Sequence, residues 1–128
     1  MTDEQMNKIA DLVRETGFAV HKFHRHGHLE KIYENALAHR LRKLGLHVEQ
    51  QFPIRVFDED GTLLGDYFAD LLIERCMVVE IKAANGIADE HVAQLLGYLR
   101  SSRFEHGLLI NFGATRFQRK KLKLQALN

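Results

Sequence analysis

Between Asp66 and Ala83 the chain reads Asp-Tyr-Phe-Ala-Asp-Leu-Leu-Ile-Glu-Arg-Cys-Met-Val-Val-Glu-Ile-Lys-Ala. Apolar residues dominate this stretch, which reads as two β-strands joined by a tight turn. Three charges nevertheless fall where strands bury side chains. Side chains alternate across a strand, so Met77, Val79, Ile81 and Ala83 share one face of the second strand and Val78, Glu80 and Lys82 the other. In the first strand the same rule places Ala69, Leu71 and Ile73 on one face and Phe68, Asp70 and Leu72 on the opposite one. Asp70 and Glu80 then face the same side of a hairpin, with Lys82 one step along. Two carboxylates and a lysine converging on a sheet suit a divalent cation and a base. The rest of the chain reads as the scaffold for that cluster.

The length, 128 residues, corresponds to one domain spanning the whole chain, large enough for a real core. A hydrophobic fraction of 45% with 27% charged residues is that of an ordinary soluble globular protein, which sets aside disordered and fibrous classes. No apolar run reaches membrane-spanning length, and the polar start Met1-Thr2-Asp3-Glu4-Gln5 does not read as a signal peptide. The single cysteine, Cys76, excludes an internal disulfide, and its apolar strand predicts a buried thiol, discounted as a nucleophile. Cytoplasmic residence is the expectation. A formal net charge of +1 means that any nucleic-acid binding comes from local basic patches.

In chain order, an amphipathic helix is expected from about Asp3 to Phe23, with Ile9, Leu12, Val13, Thr16, Val20 and Phe23 at helical spacing and Thr2 or Asp3 as cap. His24-Arg25-His26-Gly27-His28 reads as a turn bent at Gly27. A second helix follows from about Leu29 to Leu44, with Ile32, Tyr33, Ala36, Leu37, Arg40, Leu41 and Leu44 on one side and Gly45 as its stop. Leu46 to Phe57 alternates as a strand, and Pro53 argues for an edge position or a bulge. Asp58-Glu59-Asp60-Gly61 is a hairpin turn leading into the two charged strands, the second closed by Asn85-Gly86. A third helix spans about Asp89 to Ser101, carrying Val92, Leu95, Leu96 and Leu99 toward the core and pairing Gln94 with Tyr98. Gly107 to Phe112 is a buried strand, and Arg116 to Lys123 a basic tail with Phe117, Leu122 and Leu124 interleaved. The order predicts a central mixed sheet of four strands flanked by helices, its last two strands parallel because a helix joins them.

The spacing Asp-x(9)-Glu-x-Lys has a chemical logic. Phosphodiester hydrolysis needs hard oxygen ligands for Mg²⁺ or Mn²⁺, a nucleophilic water, and a charge that orients it or stabilises the transition state. Asp70, Glu80 and the backbone carbonyl of Ile81 would bind the metal, and Lys82 would act on the water.

Gly27-His28-Leu29-Glu30-Lys31-Ile32-Tyr33 fits the pattern that names the GxxExxY proteins. Asp70-Leu71-Leu72, Val79-Glu80-Ile81-Lys82-Ala83, Ala93-Gln94-Leu95-Leu96-Gly97-Tyr98-Leu99 and Gly107-Leu108-Leu109-Ile110-Asn111-Phe112 resemble that family's other blocks, in the same order. The resemblance runs from about Val20 to the tail. The family is similar to the PD-(D/E)xK, restriction-endonuclease-like nuclease superfamily, whose αβββαβ core agrees with the element order above. The resemblance implies that Asp70, Glu80 and Lys82 match the signature triad, that Glu30 is a further acidic metal residue, and that Gln94 joins the site. It also implies that His21 matches a histidine that the family carries ahead of its motif, and His21 and Tyr98 are candidate accessory residues. The His-rich turn departs from the family's Gly, Pro and Leu-rich one.

Each of these residues also has a plainer reading. Glu-x-Lys on a strand is ordinarily a solvated face, and Glu30 an ordinary surface residue. Tyr33 and Tyr98 suit a core with a hydroxyl handle, Gln94 a helix–sheet contact. His24, His26 and His28 invite a zinc site but sit in a turn without cysteine. Arg116, Arg119, Lys120, Lys121 and Lys123, with Arg25, Arg100 and Arg103, are either a phosphate-tracking surface or a basic periphery. The expected function is metal-dependent hydrolysis of nucleic-acid phosphodiesters, DNA by analogy, with a homodimer or larger partner for double-strand work. The alternative is an inactive module of the same fold that binds nucleic acid or protein.

Overall fold

The computed structural model describes residues 1–124. Helix α1 (Asp3–His24) starts from a reciprocal cap, in which Gln5 N–H donates to Thr2 Oγ1 and Thr2 N–H to Gln5 Oε1. Gly27, with φ +116°, turns the chain into helix α2 (Glu30–Lys43), and Gly45, at φ +88°, follows its end. The antiparallel strands β1 (Val48–Phe57) and β2 (Leu63–Ile73) are joined across the Asp58–Thr62 turn, where Gly61 takes φ +87°. Strand β3 (Met77–Lys82), helix α3 (Asp89–Ser101) and strand β4 (His106–Asn111) form a crossover, and β3 and β4 pair in parallel as the intervening helix requires.

The sheet has five strands, in the order β1-β2-β3-β4-β5, where four were expected. The fifth, β5 (Gln118–Lys123), is the basic tail, antiparallel to β4. Its three lysines and one arginine mask a strand whose partly buried residues are Gln118 and Leu122, while the cations face solvent on an exposed edge. Pro53 lies on β1, the opposite edge strand, as its missing N–H predicts.

Helices α1 and α2 cover one face of the sheet and α3 the other. The first face packs Val13, Val20, Tyr33, Leu37 and Leu41 against Leu71, Val79, Ile81 and Ile110. The second packs Leu95 and Leu99 against Leu72, Val78 and Leu109. The expected faces of both early helices hold at their centres, with Ile9, Val13, Thr16 and Val20 buried on α1 and Tyr33, Leu37 and Leu41 on α2, but both are displaced at their flanks. Met6, Ala10, Gly17 and His21 are buried on α1, while Leu12 and Phe23 are exposed. On α2, Ile32 and Leu44 are exposed and Glu34 is buried. Cys76, expected to be buried in a strand, is half-buried in the turn before β3, where Glu74 and Arg75 both take positive φ.

At the ends of β3 and β4 the backbone closes tightly. Phe112 N–H donates to the Lys82 carbonyl at 2.9 Å, and Asn111 bonds both the N–H and the carbonyl of Ala84. A Cβ on Gly113 would lie 2.3 Å from the Ala84 nitrogen, so only glycine permits this approach. The strand end that carries Lys82 is thereby fixed to the loop after β4.

Candidate functional site

The site forms where β2 and β3 part. Their ladder runs through Leu71↔Val79 and stops before Asp70 and Glu80. Beyond it, two side chains replace backbone carbonyls as acceptors. Asp70 Oδ2 accepts from Ile81 N–H at 2.7 Å, and Glu80 Oε1 accepts from Asp70 N–H at 3.3 Å. Both carboxylates are thereby held in the gap between the strands.

The expected alternation in β2 fails here. Leu71 and Ile73 lie on the α1–α2 face, but Ala69 packs on the α3 face with Leu72. Strand β1 switches in the same place. Gln50 bonds to Glu34 and Asn35 on α2, whereas Phe52 and Ile54 pack on the α3 side. Gln51, between them and opposite Asp70, takes φ +54°, a conformation that side-chain residues adopt sparingly. The strand pair reverses its faces at the residues that form the site.

Glu80 is 4% exposed, and burial first, then the neighbouring Asp70 charge, push its carboxyl up to about 9. Lys82 acts in the opposite direction, stabilising the ionised form. Its Nζ donates to Gln94 Oε1 on α3 at 2.9 Å. Tyr98, one turn along, is pushed up to about 12 by burial and by Glu80 in turn, and its ring packs 3.9 Å from that of Tyr67. Glu30, the first residue of α2, accepts from Ala83 N–H at 3.4 Å, just past Lys82.

These residues fit a hard divalent cation in their donor chemistry. Two facing carboxylates, one of them buried and resisting ionisation, lack only a positive charge to hold both as anions. As they stand, no three His, Cys, Asp or Glu side chains among the described residues are gathered closely enough to enclose a metal. Asp70 and Glu80 are together, and Glu30 borders them through the backbone of Ala83.

The remaining predicted residues separate. His21 bonds the Ala114 carbonyl at 2.9 Å and packs near Phe112 and Phe117, anchoring the loop after β4 to α1. Arg25, Arg116 and Arg119 line hollows beside that loop, and Lys120 is exposed on β5. Arg103 adjoins Cys76 and His106, at the opposite end of β3 and β4 from Lys82, and Arg100 is exposed at the end of α3. His24 and His28 rings lie 5.9 Å apart.

Two residues that the sequence reading passes over connect α2 to the site. Glu34, 3% exposed, accepts from Lys31 Nζ at 2.9 Å and from Gln50 and Gln51 Nε2, each at 2.7 Å. Gln51 Nε2 also reaches Asp70 Oδ1 at 3.3 Å. The available signal was the spacing of Glu30 and Glu34, four apart and so on one helix face. Glu34→Ala removes a buried acceptor from three donors, and unfolding in denaturant should show a loss of about 2–4 kcal/mol. A loss below about 0.5 kcal/mol would mean that water takes over the donors.

A sequence model described as the PD-(D/E)XK nuclease superfamily matches residues 7–123. Among solved structures, the chain is similar to the crystal structure of SSO0001, with a TM-score of 0.58 and 21% sequence identity. That match covers 75% of this chain and 50% of that one, so the chain spans half the length of the protein it resembles. No curated protein matches the sequence. Among the described residues, no helix is long and apolar enough to cross a membrane.

Proposed function

The chain belongs to the PD-(D/E)XK nuclease superfamily, and from that premise we propose that it is a metal-dependent nuclease that hydrolyses nucleic-acid phosphodiester bonds. The observation that carries this reading is the pair Asp70 and Glu80, held in the gap where β2 and β3 part, with Lys82 beside them and bonded to Gln94. Asp70, Glu80 and the Ile81 carbonyl would hold Mg²⁺ or Mn²⁺, with Glu30 as a further carboxylate on the same rim. The bound ion would lower the pKa of a water and neutralise charge on the scissile phosphate. Lys82 orients that water or the developing oxyanion, and Gln94 restricts where Lys82 points. Tyr98 walls the site, and His21 holds the loop beside it.

The Gly27–Tyr33 segment, with Glu30 at its centre, supports a place in the GxxExxY group. DNA is the proposed substrate, by analogy with the superfamily. Cytoplasmic residence and a homodimer or larger partner for double-strand work complete the reading.

The test is calorimetric titration with Mn²⁺ of the parent and of an Asp70→Ala/Glu80→Ala double variant, beside hydrolysis assays. The parent should bind and the variant should not. If neither binds, with nucleic acid present or absent, the catalytic reading fails and a binding module of the same fold takes its place.

A further inference from the structure

Two hollows lie side by side on the surface made by α1 and the segment Thr115–Arg119, divided by Phe18 and Phe117, which line both. The first, about 470 Å³, is lined by Lys22, Arg25 and Arg116 together with Thr115 and the anchoring His21. The second, about 360 Å³, is lined by Arg14 and Arg119, with Glu15 as its carboxylate. Arg14 is paired with Asp11 at 3.6 Å. Among the described residues, Lys22, Arg25, Arg116 and Arg119 form no ion pair. Phe18 is 55% exposed and meets Phe117 only edge-on, with ring centroids 6.1 Å apart.

This surface is rigidly connected to the catalytic strand. His21 bonds the Ala114 carbonyl, Tyr33 OH donates to the Arg25 carbonyl, and the Tyr33 ring stacks on Phe112 at 4.7 Å. Phe112 in turn bonds the backbone of Lys82. The loop that carries Arg116 and the end of α1 that carries Lys22 and Arg25 are therefore fixed at the Lys82 end of the sheet.

We propose that this surface is the docking track for a single-stranded segment of nucleic acid leading to the site. Its cations take successive phosphates, and Phe18 stacks on a base between them. The exposed ring favours a single strand, because a duplex keeps its base faces stacked inside. Where the strand leads rests on the nuclease reading; the binding itself does not.

The test is fluorescence anisotropy of the full chain with labelled single-stranded DNA, single-stranded RNA and duplex DNA of equal length. It is run in chelator over a salt series, with hydrolysis in Mg²⁺ assayed in parallel. Lys22→Glu/Arg116→Glu should weaken single-strand binding about tenfold or more and reduce the salt slope by roughly 1.4, at about 0.7 per phosphate contact. Phe18→Ala should weaken it about tenfold with the salt slope unchanged. Arg100→Glu/Arg103→Glu, away from the track, should stay within about twofold. All the replaced side chains are exposed, and unchanged melting curves establish that the variants fold.

Parental affinity in both track variants overturns the proposal, as does a larger loss in the Arg100/Arg103 variant. Tighter binding of duplex, with no effect of Phe18→Ala, overturns the single-strand assignment. Equal response of DNA and RNA places recognition in phosphate and base face; a response confined to one adds the sugar. A parent that binds through the track but hydrolyses nothing leaves this inference standing and removes the nuclease reading. Hydrolysis that persists at unchanged KM in the track variants does the reverse.

Discussion

Glu80→Gln should abolish metal binding and hydrolysis while making the metal-free protein more stable. The two effects have one cause. Glu80 is buried beside Asp70, and both its burial and that charge oppose ionisation, raising its carboxyl to about 9. The amide introduced by Glu80→Gln would keep an acceptor for Asp70 N–H and provide a donor toward the Asp70 carboxylate. At pH 8 the parent carboxyl must take up a proton on folding, and the amide avoids that cost; it also removes the anion that a cation needs. A melting temperature about 5 °C higher at pH 8, from roughly 1–2 kcal/mol, is the expected gain for a domain of this size. Hydrolysis should fall by about 10³ or more, because the ion's stabilisation of the transition state is worth several kcal/mol.

The pH dependence follows with a definite sign. The folded state holds the Glu80 proton above the ordinary value of 4.5, where the unfolded chain has released it. This contribution to stability is complete below about 4.5 and is lost as pH rises through about 9. The metal-free parent should therefore lose stability relative to Glu80→Gln as pH rises between those limits. Metal must displace that proton, so Mn²⁺ affinity should increase about tenfold per pH unit in the same window. Thermal melts and calorimetric titrations at pH 6, 7 and 8 measure both. A Glu80→Gln variant that is less stable than the parent at pH 8 and still binds Mn²⁺ would refute the assignment.

Much of this site is visible in the sequence, because a charged residue in an apolar strand conflicts with its surroundings, and such conflicts mark functional positions. Asp70, Glu80 and Lys82 stand out for that reason, and helix α3 is recovered from Asp89 to Ser101 because its period is regular. The reversal of faces at Gln51 and Asp70 could not be read. Period-two alternation assumes a continuous pleat, and a single positive φ at a glutamine leaves no trace in composition. Glu34 does not stand out in the sequence because a glutamate on a helix is ordinarily solvated, and Gln50 and Gln51 reach it only in the folded sheet. Strand β5 reads as a tail in the sequence because five of its six residues are polar or charged. An edge strand needs little apolar surface, so its pattern is weak.

Lys82→Met separates the reaction from metal binding. Methionine retains the length of an apolar stem and removes the ammonium, and Lys82 is only half-buried, so stability should change by less than about 0.5 kcal/mol. The Asp70 and Glu80 carboxyl groups remain, although Lys82 no longer offsets part of the upward shift of the Glu80 pKa. Mn²⁺ affinity should therefore fall by no more than about tenfold, whereas Glu80→Gln eliminates it. The rate at saturating metal should drop by about 10²–10³, the effect of deleting one preorganised donor to a developing oxyanion. Lys82→Arg should restore little, because the longer, planar guanidinium does not reproduce the compact ammonium that donates to Gln94 Oε1. Gln94→Ala leaves the charge but frees its position, so a smaller loss, about tenfold, is expected from that variant. Single-turnover hydrolysis at saturating Mn²⁺ distinguishes these cases. If Lys82→Met cleaves within twofold of the parent, the ammonium has no part in the chemistry and the carboxylates and their ion act alone. If it loses metal as completely as Glu80→Gln, its function is to favour the ionised pair that the metal needs, and the water must be oriented by another group.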